Sequence, residues 1–157
     1  MGRRKQQWAR GDVFLVPLQD GTNALAQIVG REAQVLNSVT CAFFESRLAE
    51  GVTPIEADSA LGRLISILFC TRDLLDSGRW KVVGNRSVEL KKKDMPYENC
   101  RSKGWVGAEV EGSGIVEDFL NAFHGLQPWD AYKDPNYFDK LLLSPKKKPH
   151  NLIYSVK

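Results

Sequence analysis

The sequence predicts an α+β fold: a β-rich antiparallel twisted sheet or partial barrel with two or three helices, one of them near the C-terminus. Three observations predict it. Apolar runs rich in β-branched and aromatic residues crowd the first half of the chain, and the two segments with helical apolar spacing both lie in the last third. The length, 157 residues with 43% hydrophobic and 26% charged content, suits one core and is short for two ordinary domains. Residues 1–10 are expected to form a basic N-terminal arm pinned by Trp8, and 11–157 a single domain.

The first strand is predicted over residues 13–18, where Val13-Phe14-Leu15-Val16-Pro17-Leu18 runs into Asp20-Gly21, a hairpin-type turn. Pro17 cannot donate to a ladder and belongs at an edge or bulge. Residues 25–29 form the return strand, stopped by Gly30, and residues 35–44, with Val35, Val39, Thr40, Phe43 and Phe44, a third. Residues 45–62, punctuated by Gly51, Pro54 and Gly62, are expected to be a long connection with one helical turn. Residues 64–70 are apolar apart from Ser66 and predict a strand buried on both faces in mid-sheet. A helical turn over 71–76, a strand over 80–83 closed by Gly84, and a short strand over 88–90 follow.

Ile115, Val116, Phe119, Leu120 and Phe123 form one apolar stripe, with Ser113 or Gly114 as cap, Gly125 at the exit, and Glu117 and Asp118 early enough to meet the helix dipole. Asp134-Pro135 is a cap followed by proline at the first helical position. Tyr137, Phe138, Leu141 and Leu142 supply the buried side of that second helix before Pro145 stops it. The lysines at 146–148 read as a solvated linker and residues 152–156 as a terminal strand.

Charge argues against one large class of partner. Lys and Arg total 22 against 19 Asp and Glu, a net +3 spread evenly along the chain, whereas a phosphate-neutralising protein carries a larger, clustered excess. The longest apolar run, residues 64–70, falls far short of the roughly 20 residues that span a bilayer, so a cytoplasmic protein without membrane attachment is expected. Cys41, Cys70 and Cys100 form no C-x-x-C pair and are odd in number, which predicts reduced, mostly buried thiols.

No motif for catalysis, metal or cofactor emerges, and none of the three is expected. The chain has no G-x-S-x-G, Walker, H-E-x-x-H or C-x-x-C pattern. Of the two histidines, His124 closes the amphipathic helix and His150 falls in the Lys/Pro linker. Two binding surfaces are conceivable. Glu109, Glu111, Glu117, Asp118 and Asp130 form an acidic region suited to a basic protein partner, with Trp129 as an anchor if it is not core. Alternatively Lys91, Lys92 and Lys93, with Arg86, Arg101, Lys103, Tyr97 and Trp105, form a basic, stacking surface for nucleic acid, diluted by Glu89, Asp94 and Glu98.

Gly11-Asp12-Val13-Phe14, continuing into Pro17-Leu18, Asp20-Gly21 and Ala26-Gln27-Ile28-Val29, resembles the opening of the bacterial immunity protein 26 family. Trp80-Lys81-Val82-Val83-Gly84 is similar to that family's W-x-hydrophobic-hydrophobic-G strand, and Asp134-Pro135-Asn136-Tyr137-Phe138 with Leu141-Leu142 to its closing segment. The aromatic usual after the D-G turn is replaced by Thr22-Asn23-Ala24. The resemblance implies a β-rich cytoplasmic protein that is not an enzyme. Such a protein binds and neutralises the cognate toxin of a contact-dependent inhibition or other polymorphic toxin system. It carries over no binding residues. Immunity proteins against nucleases are often strongly acidic, so a net charge of +3 points to a toxin that is not a basic nuclease or to a local acidic patch.

Overall fold

A computed structural model describes residues 5–32, 37–49, 63–90 and 109–155. Its centre is one six-stranded open sheet in the order β5-β1-β2-β3-β4-β6. Strands β1 (Asp12–Pro17), β2 (Asn23–Glu32), β3 (Ser38–Leu48), β4 (Leu64–Cys70) and β5 (Lys81–Asn85) pair antiparallel, and the two-residue β6 (Val110–Glu111) runs parallel to β4. The sheet is therefore mixed, a correction to the antiparallel expectation, and as an open sheet it is not the partial barrel allowed as an alternative. The long chain between β4 and β6 is what permits the parallel return.

The opening hairpin follows the sequence closely. Pro17 stands beyond the last β1–β5 pair, Leu15 with Lys81, so β5 asks no ladder bond of the N–H it lacks. At the turn the Leu18 N–H donates to Thr22 O at 2.8 Å, and Asp20 Oδ1 accepts from both the Thr22 N–H and hydroxyl. Gly21 takes φ +86°, a left-handed value that glycine adopts without cost.

Two strands are longer than predicted. Gly30 does not end β2, because a register shift between Ile28 and Gly30 places it opposite Thr40 and the ladder resumes. β3 continues to Leu48, so residues 45–48 are strand and not connection. Glu45 and Arg47 there face outward while their backbone pairs on, and residues 50–62 lie outside the described residues. β4 sits between β3 and the short β6, and the C-terminal segment meets the part β6 leaves open. There the Leu143 N–H donates to Ile65 O at 2.8 Å and the Ser66 hydroxyl donates to Leu141 O. The short strand expected at 88–90 is irregular chain, whose Val88 and Leu90 pack against Val29, Ala42, Phe44 and Ile67.

Helices α1 (Asp73–Ser77) and α2 (Ser113–Phe123) are the α-helices among the described residues. Gly112, not Ser113 or Gly114, caps α2, because Ser113 is drawn into the first turn. Its N–H donates to Thr71 Oγ1 and its hydroxyl to the Asp73 carboxylate. Glu117 and Asp118 consequently fall beyond the first turn, where the dipole has little hold on them. The second helix predicted from Asp134-Pro135 is only a 3-10 turn, Phe138–Leu141. Its bonds run three residues back, Tyr137 N–H to Asp134 O and Lys140 N–H to Tyr137 O, and Leu142 is already extended. Residues 146–147 belong to a second 3-10 turn, Pro145–Lys147. The expected terminal strand makes two bonds and no ladder in its described part: Trp129 N–H to Ile153 O, and Ser155 N–H to Asp130 Oδ1.

The core lies between one sheet face and α2. Phe14 stacks on Trp80 with ring centroids 5.5 Å apart, and Phe43 stands edge-on to both. Phe119 of α2 meets Trp129 and Phe138 at 5.8 and 5.9 Å. Ordered packing reaches back before Gly11. The Gln6 side chain donates to Leu75 O and Trp80 O while accepting from Val82 N–H, and Trp8 Nε1 donates to Asp76. Cys41 and Cys70 are buried free thiols in the same core, and burial pushes the Cys70 thiol pKa up.

Candidate partner-binding surfaces

The acidic residues singled out from sequence do gather around β6, α2 and the segment after it, yet most are engaged within the fold. Glu117 accepts from Arg79 Nε and Nη2 at 2.8 and 3.0 Å, and its Oε2 also accepts the indole N–H of the buried Trp80 at 3.0 Å. The hydrogen bond and charge of Glu117 raise the Arg79 pKa further. Glu111 is 6% exposed and accepts the Tyr137 hydroxyl at 2.7 Å. That bond, with burial, pushes the Tyr137 pKa up to about 12. Asp118 accepts the Tyr132 hydroxyl at 2.6 Å, and burial followed by that bond raises the Tyr132 pKa. These carboxylates fasten Tyr132, Tyr137 and the β5 approach to α2 and β6. Glu109 is exposed.

Trp129 is 1% exposed and its ring is core, so the condition for its being an anchor is not met. Its N–H donates to Asp139 at 3.2 Å, and Lys148 lies over its face at 5.8 Å. Asp130 accepts from the Ser155 N–H at 2.7 Å. Of the basic alternative, residues 91–103 lie outside the described residues, and Arg86 faces Glu89 at 3.8 Å.

A surface that residue-by-residue reading missed lies at the other end of α2. An open groove of about 430 Å³ runs between the outer end of β3, the start of β4 and the chain after the last 3-10 turn. Glu45, Arg47, Arg63, His124, Lys147 and His150 line it. Strand periodicity turns Glu45 and Arg47 to the same side, and the Gly125 exit, with φ +75°, turns the chain away just after His124. Arg63 pairs with Glu45 at 2.7 Å, and Arg47 reaches Asp20 only at 3.8 Å. His124 has its Nε2 enclosed without a hydrogen-bond partner, and burial, then the Arg47 charge, lower its pKa to about 4. The histidine is therefore neutral, and the positive charge of the groove comes from Arg47, Arg63 and Lys147. No sequence motif could announce this site, because its walls come from segments about a hundred residues apart.

A family model described as immunity protein 26 matches residues 9–105. The chain belongs to the immunity protein 26 family. The match spans β1 to β5 and stops before β6 and α2, so the likeness noted at Asp134 to Leu142 lies beyond it. In this family member, Gly11, Pro17 and Asp20-Gly21 stand at the start, end and turn of the first hairpin, and Trp80 leads into β5 as the stacking partner of Phe14. The matched part thus holds five of the six strands, whereas the acidic group and most of one groove wall lie outside it. No curated protein and no solved structure matches the chain. Among the described residues no helix is long and apolar enough to cross a membrane.

Proposed function

We propose that this protein is the immunity partner of a bacterial toxin. It would bind the toxin domain of a contact-dependent or other polymorphic toxin system in the cytoplasm and neutralise it as a stoichiometric inhibitor, not a catalyst. The match to the immunity protein 26 family over residues 9–105 carries this reading. An interface of standard size, about 800 Å² on each partner, would suffice to occlude a toxin site. Of the acidic group, the exposed Glu109 would lead the contact with the toxin and the partly exposed Asp118 and Asp130 would lie at its margin, while the buried Glu111 and Trp129, and Glu117 tied to Arg79 and Trp80, would support the fold beneath. A secreted protein with a variable C-terminal domain is expected to be encoded immediately upstream, and coexpression with that domain tests the proposal. Restored growth and a one-to-one complex on gel filtration are expected. Growth arrest unrelieved by the folded, expressed protein, with no complex, overturns it.

A further inference from the structure

Among the described residues, the groove at the far end of α2 holds more positive charge than its carboxylates neutralise. Arg47, Arg63 and Lys147 face Glu45 in its wall, with Asp20 3.8 Å from Arg47. Glu45 is already committed to Arg63, through Nη2 at 2.7 Å and Nε at 2.8 Å. Among the described residues Arg47 reaches a carboxylate, that of Asp20, only at long range, and it spends Nη1 on His124 O at 3.5 Å. Among the described residues Lys147 has no ion-pair partner. His124 adds no charge, being held neutral. A partly enclosed concavity with two under-used cations is a receptor for an anion, since low-dielectric walls strengthen a charge-assisted hydrogen bond.

Resting on the immunity reading, we infer that this groove receives an acidic segment of the partner protein, with Arg47 and Lys147 clasping its carboxylates. Three observations favour a peptide over a nucleic acid. Glu45 and Asp20 interrupt the cations, so the described residues of the groove form no continuous track for a phosphodiester backbone. A volume of about 430 Å³ accommodates a few side chains. The chain that supplies Lys147 and His150 lines the groove as far as Asn151 and runs on to Ile153 and Tyr154, 47% and 53% exposed, an apolar and an aromatic side chain that a protein partner could cover. The partner would then be mixed in charge, basic where it meets Glu109 and acidic where it enters the groove. That also accounts for a neutraliser with a net charge of +3.

Hexaglutamate serves as a probe independent of any toxin. Titrated into the full chain at low salt, it should shift the side-chain N–H signals of Arg47 and Arg63 in NMR spectra. R47E/K147E should weaken that binding at least about tenfold and R47Q/K147Q by less, while K81E, a charge reversal at an exposed position on β5, leaves it unchanged. Absence of shifts overturns the inference. So do equal shifts from inorganic phosphate, which indicate a small-anion site, or from hexauridylate, which indicate a nucleic-acid site. With the toxin domain, a wild-type complex that R47E/K147E leaves intact refutes the groove while sparing the immunity reading. Hexaglutamate binding without any toxin complex refutes the immunity reading alone.

Discussion

Glu117 decides whether the acidic region is first of all a part of the fold. Replacing it with alanine removes two interactions of different worth. The Arg79 pair is half-exposed at the arginine, with a side-chain exposure of 52%, and pairs of that kind contribute about 0–1 kcal/mol. The indole N–H of Trp80 belongs to a fully buried ring and would lose its acceptor, at a cost of about 1–3 kcal/mol for an unsatisfied buried donor. Glu117→Ala is therefore expected to destabilise by about 1–4 kcal/mol, a fall of about 2–16 °C in Tm for a domain of this size. Arg79→Ala should cost no more than about 1 kcal/mol, and Glu117→Gln, which keeps an acceptor for the indole, should fall between the two. Urea unfolding followed by Trp fluorescence measures all three. Glu117→Ala no more costly than Arg79→Ala would refute the reasoning, because the Trp80 bond would then carry nothing. The same experiment bears on how a charge reversal at Glu117 is read, since loss of toxin neutralisation by such a variant would report unfolding before it reported an interface.

Tyr137→Phe should lower stability at neutral pH and flatten its alkaline decline. The folded tyrosine is pushed up to about 12, above the ordinary value of about 10, so its contribution is whole below about pH 10 and is lost as pH rises towards 12. Unfolding midpoints taken across pH 8 to 12 check this, and an unchanged alkaline slope in the variant would count against the Glu111 bond. His124 titrates in the opposite sense. Its folded value of about 4 lies below the unfolded value of about 6.5, so stability should fall as pH drops from 6.5 towards 4, and His124→Gln should remove that slope. Gly11→Ala and Gly21→Ala both force alanine into positive φ, at about 1–2 kcal/mol each. Only at Gly11 does the added Cβ come within 2.9 Å of Arg86 O, so thermal melts should show a further loss there of about 1–3 kcal/mol for overpacking.

Local chemistry explains which parts of the fold were legible. Asp20-Gly21 made its turn because the Asp20 carboxylate satisfies Thr22 and glycine accepts the left-handed value, and both preferences are written in two adjacent residues. The α2 stripe and the doubly buried β4 were legible for the same reason of periodicity. Misreadings arose where a distant partner overrode a local signal. Gly30 would stop an isolated strand, but the long ladder with β3 absorbs it through a bulge. Ser113 would cap α2 were Thr71 and Asp73 not there to take its N–H and hydroxyl. Phe138, Leu141 and Leu142 are buried as the helical pattern requires, yet the turn ends early and Leu141 O and Leu143 N–H serve β4 instead.

The same distinction separates the two candidate surfaces. The acidic region was visible because its residues are near neighbours in sequence, but proximity in sequence says nothing about what a carboxylate already holds. Tyr132, Tyr137, Arg79 and Trp80 take up much of its capacity. The groove was invisible because Arg47, Arg63 and Lys147 each stand alone in the chain or in a run that reads as linker, and only the sheet and the Gly125 exit bring them together. A carboxylate bound into the fold has little left to offer a partner, whereas Arg47, held at 3.8 Å from Asp20, can exchange that weak contact for a close one at small cost. By that argument, substitutions at Arg47 and Lys147 should change affinity with little effect on Tm, and substitutions at Glu111 and Glu117 should do the reverse. Paired measurements of melting and toxin binding on the four single variants would settle the assignment, and a Glu117 variant that binds weakly at unchanged Tm would reverse it.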